Sequence, residues 1–319
     1  MRVLITGVSG QDGFYLAQDL LQEGHEIYGM VRGRPGPVRD QLQTDLPGLH
    51  LVEGDLLDQS MLQTVLAQVQ PEVVYNLGAM TFVGASWLQP TLMTEVTGLG
   101  VLRLLEAIRM VNREIRLVHA SSSEMYGEVR EVPQDELTPL NPRSPYGVAK
   151  AFAHHTVVNY RESYGIHAST AIMFNHESPR RGFEFVTRKV TRAAAAASRA
   201  GHNEYVLKLG NMAAKRDWGW APEYMTALPL IAAQKEPSDF CIGTGTMHSV
   251  EDLCREAFNV VGLDWEKYVI SDAALFRPAD VELLCADARK AKRILGWEAR
   301  ISFEEIVRHM VHHDLNGSA

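Results

Sequence analysis

Tyr146 and Lys150 stand four residues apart in Ser-Pro-Tyr-Gly-Val-Ala-Lys (144–150), a spacing that puts both side chains on one face of a helix. An ammonium held beside a phenol favours the phenolate, so the expectation is a tyrosine of lowered pKa that serves as general base toward a hydroxyl. Upstream, Ser121-Ser122-Ser123-Glu124 offers two more groups. Ser122 can hydrogen-bond the hydroxyl that Tyr146 deprotonates. Glu124 is either a second acid-base group or a cap for the loop that follows. Tyr-x-x-x-Lys recurs by chance, so its meaning depends on the elements that carry it.

Short β-type apolar runs at 2–5, 26–31, 49–53 and 73–77 alternate with helical patterns at 16–21 and 61–69, as β-α-β units and a parallel sheet require. A strand is expected at 115–119, a helix from Tyr146 to about Tyr164, and a strand at 168–174. Ser122 and Glu124 then fall at the carboxyl end of a strand, the edge at which α/β enzymes hold their ligands. The stretch 91–110 reads as one helix, with Leu92, Val96, Leu99 and Leu102 at helical spacing and Leu104, Leu105 and Ile108 widening the apolar face; such a helix is buried on two sides, by the sheet and a partner subunit.

Past Asn175 the alternation gives way to Pro, Arg and Gly, an Ala-rich helix at 193–197 and short strands. The fold class expected is α/β: a Rossmann-type doubly wound parallel sheet over 1–174, and a second, smaller α/β substrate domain over 175–319. The division is discontinuous, with a return to the first unit near 216–250 that includes a strand at 239–245. Ser302 and Glu305 form a capping box at the start of a C-terminal helix. Its His309, His312 and His313 lack a zincin pattern, so no metal is expected. The run 289–293, Arg-Lys-Ala-Lys-Arg, reads as a solvated helix face.

Gly7, Gly10 and Gly13 follow the first strand and open the first helix. Glycine lets the backbone turn tightly and approach a pyrophosphate, whose charge meets the free amides of the helix start. The second strand ends at Met30-Val31-Arg32, without the carboxylate that usually takes the ribose hydroxyls of NAD. Arg32, helped by Arg34, suits the 2′-phosphate of NADP. Asp55, after the third strand, is placed for the adenine edge, and Leu77-Gly78-Ala79, after the fourth, lets a small-residue backbone pass close to the cofactor.

The 319 residues carry 31 Lys plus Arg against 39 Asp plus Glu, a formal charge of -8. That gives no general field for nucleic acid or anionic lipid. Cys241, Cys254 and Cys285 share no metal-type spacing, and three thiols suit a reducing cytoplasm better than a disulfide framework. Neither a signal peptide nor an apolar stretch of about 18 residues appears, so a cytoplasmic protein without a membrane span is expected.

Glycine loop, strand-end hydroxyl and Tyr/Lys pair follow one another as in short-chain dehydrogenase/reductases, and the chain resembles their extended, sugar-nucleotide-modifying branch. A simple oxidoreductase or 4-epimerase needs the tyrosine but no acid-base group beside it, whereas a dehydratase needs Glu124. Seven further segments carry a closer resemblance: Ser-Ser-Glu-Met-Tyr-Gly (122–127), Ser-Pro-Tyr-Gly-Val-Ala-Lys (144–150), Val-Asn-Tyr-Arg-Glu-Ser-Tyr-Gly (158–165), Phe-Asn-His-Glu-Ser-Pro-Arg-Arg-Gly (174–182), Phe-Val-Thr-Arg-Lys (185–189), Ala-Lys-Arg-Asp-Trp-Gly (214–219) and Arg-Pro-Ala-Asp-Val (277–281). With the opening Ile-Thr-Gly-Val-Ser-Gly-Gln-Asp-Gly (5–13) they look like GDP-mannose 4,6-dehydratases almost end to end.

The resemblance implies roles residue by residue. Ser122 takes the place of a threonine in many relatives, Glu124 matches the acid-base glutamate, Tyr146 the base and Lys150 its partner. Gln11, Asp12, Leu56, His176 and Arg181 join the glycines, Arg32, Asp55, Leu77, Gly78 and Ala79 around NADP. Ser86, Asn175, Val186, Lys189, Leu209, Asn211, Arg216, Arg277 and Asp280 match positions that hold the GDP-sugar; arginine and lysine suit a diphosphate through charge-assisted hydrogen bonds. The implied reaction removes hydride from carbon 4, eliminates water across carbons 5 and 6, and returns the hydride to carbon 6. A homodimer through the helices at 91–110 and 146–164, or a tetramer, is implied too.

Departures keep alternatives open. The loop Gly33-Arg34-Pro35-Gly36-Pro37 lacks the family's Arg-Ser pair, and the connection on to Asp55 is shorter. Met80 and Phe82 replace Gln and His, and Trp220 replaces His. Another GDP-sugar such as a heptose, a GDP-sugar epimerase or 4-keto-reductase, and a non-catalytic NADP-sensing protein are the competing readings.

Overall fold

Strand β1 (Arg2–Thr6) carries Val3, Leu4 and Ile5, all fully buried, as a strand covered on both faces requires. The computed structural model describes residues 1–33, 36–200, 206–276, 279 and 281–317. The chain adds β2 (Glu26–Val31), β3 (His50–Glu53), β4 (Val73–Asn76), β5 (Arg116–Ser122) and β6 (Ala168–Met173) to one parallel sheet. After the short strands β7 (Asn175–Glu177), β8 (Leu207–Leu209) and β9 (Lys215–Trp220) it adds β10 (Asp239–Ile242), completing the order β10-β6-β5-β4-β1-β2-β3. β11 (Met247–Ser249) and β13 (Leu283–Leu284) flank β9, which also pairs with β7, while β12 (Val269–Ser271) pairs with β8.

Helices cover both faces of the large sheet. α1 (Gln11–Gln22) and α2 (Pro37–Asp45) lie on one side; α3 (Gln59–Val69), α6 (Gly100–Val111) and α7 (Pro145–Tyr164) lie on the other, the latter pair preceded by the single turns α4 (Val83–Ser86) and α5 (Pro90–Met93). α8 (Val186–Ala200) packs away from the sheet, α9 (Ala221–Ala232) joins the face of α1, and α10 (Val250–Val260) packs on α8. α11 (Arg289–Leu295) again meets the α1 face, and α12 (Phe303–Asn316) closes the cluster of α8 and α10 through Phe303, Val307 and Val311. The capping box of Ser302 and Glu305 is present at the start of α12.

Several elements differ from the sequence reading. α2 lies in a stretch to which the sequence pattern assigns no element; it buries only Leu42, so it leaves no apolar period, and its start is marked by Pro37 alone. The helix expected at 91–110 is interrupted by a π-helical segment at Thr94–Leu99, where the wider turn brings Thr97 Oγ1 to the Met80 amide at 3.1 Å. The strand expected at 239–245 stops at Ile242. Beyond it the buried Asp217 carboxylate accepts from the amides of Thr244 (2.9 Å), Gly245 (2.8 Å) and Ala286 (3.0 Å), bending the chain into a turn. All three cysteines are buried and unpaired. No described helix is long and apolar enough to cross a membrane.

Candidate active site

β5 ends at Ser122 and passes directly into a 3-10 turn, Ser123–Met125. Ser122 Oγ accepts from the Glu124 amide (3.3 Å) and lies near enough to the Tyr146 hydroxyl to favour its ionised form. Tyr146 sits in the first turn of α7, opened by Pro145 and capped by Ser144, whose Oγ accepts from Gly147 N (3.0 Å). A Cβ on Gly147 would stand 2.6 Å from the Glu124 carbonyl oxygen. The helix start can therefore press against the Glu124 turn only with glycine there, a requirement the sequence reading missed. Ser122, Glu124, Tyr146 and Lys150 are all at least nine-tenths buried.

Lys150 Nζ donates to the Ala120 carbonyl at 2.6 Å and lies 5.9 Å from the centre of the Tyr146 ring. Burial lowers the Lys150 pKa to about 8, against an upward pull from Asp12. The lowered phenol expected of Tyr146 is not found in the protein's own groups. Burial pushes it up to about 12; the Ser122 bond and Arg181 pull down, while Glu124 and Asp12 push up. The physical reason is that the cost of taking a phenolate out of water outweighs the downward pulls of Ser122 and Arg181. Glu124 has its own cation: Arg216 Nε, on β9, lies 4.0 Å from Glu124 Oε1.

Between the carboxyl ends of the strands runs a cleft lined by Gly7, Gly10, Gln11, Asp12, Gly13, Arg32, Asp55, Leu56, Leu77, Gly78, Ala79 and Arg181, together with Met80, Glu184 and Phe185. Gly7 adopts φ +72°, and a Cβ there would meet Gly78 N at 2.8 Å, so two backbone loops touch at the cleft floor. α1 has no side-chain cap at Gly10, leaving its first amides directed at a ligand's anionic group. These features fit a dinucleotide. Asp55 Oδ1 accepts from Leu57 N (3.0 Å), shaping its own turn.

His176 lies beside the glycine loop: its Nε2 is 3.0 Å from Asp12 Oδ1 and its Nδ1 2.7 Å from the Phe174 carbonyl. Burial alone would raise the Asp12 pKa, yet His176 and Gln11 hold it down to about 2. Burial pulls His176 down, but Asp12 leaves it above its ordinary value. Ser178 Oγ donates to Gln11 Oε1 (2.7 Å) and Gln11 Nε2 to the His176 carbonyl (3.2 Å), tying β7 and its loop to α1. Arg181 reaches Glu177 at 3.2 Å and stacks 3.7 Å over the Phe185 ring.

The residues expected on the substrate are spread over the region built by β7 to β9 and α8. Asn175 opens β7 beside Trp218, Val186 opens α8, Lys189 is exposed one turn on, Leu209 ends β8, and Asn211 Oδ1 accepts from Ala213 N at 3.0 Å. Ser86 is fully buried, its hydroxyl donating to the Val83 carbonyl (2.7 Å). Arg277 and Asp280, like Arg34, lie outside the described residues.

A family model described as GDP-mannose 4,6 dehydratase matches residues 4–310. The chain belongs to the GDP-mannose 4,6-dehydratase family. It is 42% identical to the GDP-mannose 4,6 dehydratase of Homo sapiens, across 98% of this chain and 91% of that one. It is also 42% identical to the GDP-mannose 4,6-dehydratase of Vibrio cholerae serotype O1, across 98% and 93%. Among solved structures, the UDP-glucose 4-epimerase of Thermus thermophilus in complex with NAD superposes with a TM-score of 0.86 at 26% identity over 100% of both chains. The UDP-glucose 4-epimerase of Thermotoga maritima with UDP-glucose does so at 0.86 and 25%, over 98% of each.

Of the departures from the family pattern, Met80 lines the cleft and Phe82 meets Phe185 edge-on at 5.7 Å. Trp220 instead faces His309 of α12, ring centres 5.5 Å apart.

Proposed function

We propose that the chain is an NADP-dependent lyase that converts GDP-mannose to GDP-4-keto-6-deoxymannose. The observation that carries this reading is Glu124: a buried carboxylate in the turn that follows Ser122, 4.0 Å from Arg216, in a chain of this family. A bound nicotinamide supplies a hydride acceptor at carbon 4 and a hydride donor at carbon 6. Tyr146, oriented by Ser122, takes the proton of the 4-hydroxyl. The 4-ketone makes the carbon 5 proton acidic; Glu124 removes it and assists loss of the carbon 6 hydroxyl, and carbon 5 is then reprotonated. Lys150 supplies positive charge under Tyr146.

NADP over NAD is supported by Arg32, which lines the cleft at the end of β2 where a NAD-selective fold offers a carboxylate. Arg216, Lys189, Asn175 and Asn211 are the groups proposed for the nucleotide diphosphate end, with Ser86, Val186, Leu209, Arg277 and Asp280 completing the substrate set. His176 and Arg181 serve the cofactor through Asp12 and Phe185. The chain is proposed to pair as a homodimer in the cytoplasm; exposed Leu92, Met110, Val148, Phe152 and Tyr164 around α6 and α7 support that face.

The test is incubation with NADP and a panel of GDP-, UDP-, dTDP- and CDP-sugars, followed by mass spectrometry for loss of one water. Loss from GDP-mannose supports the reading. Loss from another sugar alone moves specificity to the Met80 and Phe82 neighbourhood, and isomerisation without mass change replaces the dehydratase with an epimerase.

A further inference from the structure

Thr6, Asn76 and His119 form one transverse row of the large sheet, register partners on β1, β4 and β5. The row continues through Thr170 of β6 and Asp239 of β10. Thr6, Asn76 and His119 are 0%, 1% and 1% exposed, so their polar atoms must find partners inside the protein. Thr6 Oγ1 donates to Asn76 Oδ1 at 2.6 Å and accepts from the Gly78 amide at 2.9 Å. With its carbonyl so engaged, Asn76 turns Nδ2 toward His119 Nδ1, 3.0 Å away. An amide nitrogen can only donate, so Nδ1 must accept and the ring's proton sits on Nε2.

α7 lies over this ring. Lys150 and His154, one turn apart, are the charged or titratable groups that act on His119, and with burial they hold it well below its ordinary pKa, hence neutral. His154 in turn feels Asp239, His155 and Arg161, and Lys150 feels Asp12. His119 Nε2 has no hydrogen-bond partner among the described residues. The Lys150 ammonium takes the carbonyl of the very next residue on β5, Ala120, at 2.6 Å. Had the ring the opposite tautomer, the unpartnered Nε2 would carry a buried lone pair on a ring that feels the Lys150 ammonium.

We propose that Asn76 and His119 are positioning residues for Lys150: the Thr6–Asn76 pair locks His119 with its proton on Nε2, withholding the ring's lone pair and leaving the ammonium on the Ala120 carbonyl beneath Tyr146. The same row hangs from the Gly78 amide, so one hydrogen-bonded chain links a cleft loop to His119, the neighbour on β5 of the Ala120 carbonyl that holds Lys150. The inference rests on the assignment of Tyr146 and Lys150 given above.

Long-range 1H–15N NMR of the resting full-length chain reads the tautomer without substrate or cofactor. The expected spectrum has His119 protonated at Nε2 and bare at Nδ1 at neutral pH; a proton on Nδ1 overturns the proposal. Asn76→Asp places an acceptor opposite Nδ1 and should move a proton there, lowering kcat by about tenfold or more with KM for GDP-mannose changed by less than about twofold. A moved proton with wild-type kcat overturns it too. Should Asn76→Asp fail to fold, Thr6→Val and Thr6→Ser carry the test: the valine loses the lock and kcat, the serine keeps both. Equal kcat in the two, with His119 still locked only in the serine variant, contradicts the proposal. Absence of water loss by the wild-type protein would count against the dehydratase reading alone, because the tautomer is measured separately.

Discussion

Arg216 Nε lies 4.0 Å from Glu124 Oε1, with the two side chains only 9% and 11% exposed. A guanidinium at that depth offsets part of the cost of burying a carboxylate, and the carboxylate form of Glu124 is the one proposed to take the carbon 5 proton. Glu124→Gln should lower dehydration by about 10²- to 10⁴-fold while NADP binding, measured by fluorescence titration, stays as in the wild type. Arg216→Met should also lower kcat. Because Arg216 is also proposed to hold the diphosphate, its coupling to Glu124 is read in kcat at saturating GDP-mannose: there the double variant should be slower than Glu124→Gln by no more than about 0.5 kcal/mol in activation free energy, and fully additive losses in kcat would show that Arg216 does not act through Glu124.

Arg32 lines the cleft and is the residue proposed to select NADP. Removing a charge-assisted bond to a 2′-phosphate costs about 1.5–3 kcal/mol. Arg32→Ala should therefore weaken NADP by about tenfold or more and leave NAD nearly unaffected, as read by isothermal titration with each. Equal losses for the two cofactors would remove Arg32 from 2′-phosphate recognition.

Much of this arrangement is legible in the chain itself, for physical reasons that differ by residue. Val3, Leu4 and Ile5 announce a strand buried on both faces because a parallel strand admits no polar alternation. Gly7 announces a turn because φ +72° and a 2.8 Å approach to Gly78 leave no room for a side chain. Ser122, Glu124, Tyr146 and Lys150, singled out by type and spacing, are brought together because β5 ends at Ser122 and α7 opens at Pro145. α2 is not legible, because it buries one residue. Nor is the row Thr6–Asn76–His119, whose members are 70 and 43 positions apart and meet only through strand register. The upward push on Tyr146 from the protein's own groups is not legible either, because burial is a property of the packed site that motif spacing does not carry.

The pair of Asp12 and His176, 3.0 Å apart, should mark the pH dependence of stability. Asp12 is lowered to about 2 in the fold, so its contribution is present above its unfolded value of about 4 and is lost as pH falls from there toward 2. His176 is raised, so its contribution is complete below about 6.5 and is lost as pH rises through the folded value. The fall in Tm caused by Asp12→Asn should accordingly be greatest between about pH 4 and 6.5. A difference that is flat across that window and beyond would mean the pair is not coupled to folding.

The central claim is that hydride leaves carbon 4, water leaves carbons 5 and 6, and the same hydride returns to carbon 6 within one active site. GDP-mannose carrying deuterium at carbon 4 tests it most directly. The product, one water lighter, should keep that deuterium at carbon 6 by NMR, with no net consumption of NADP. Deuterium lost to solvent or transferred to free cofactor, or a product of unchanged mass, would contradict the account.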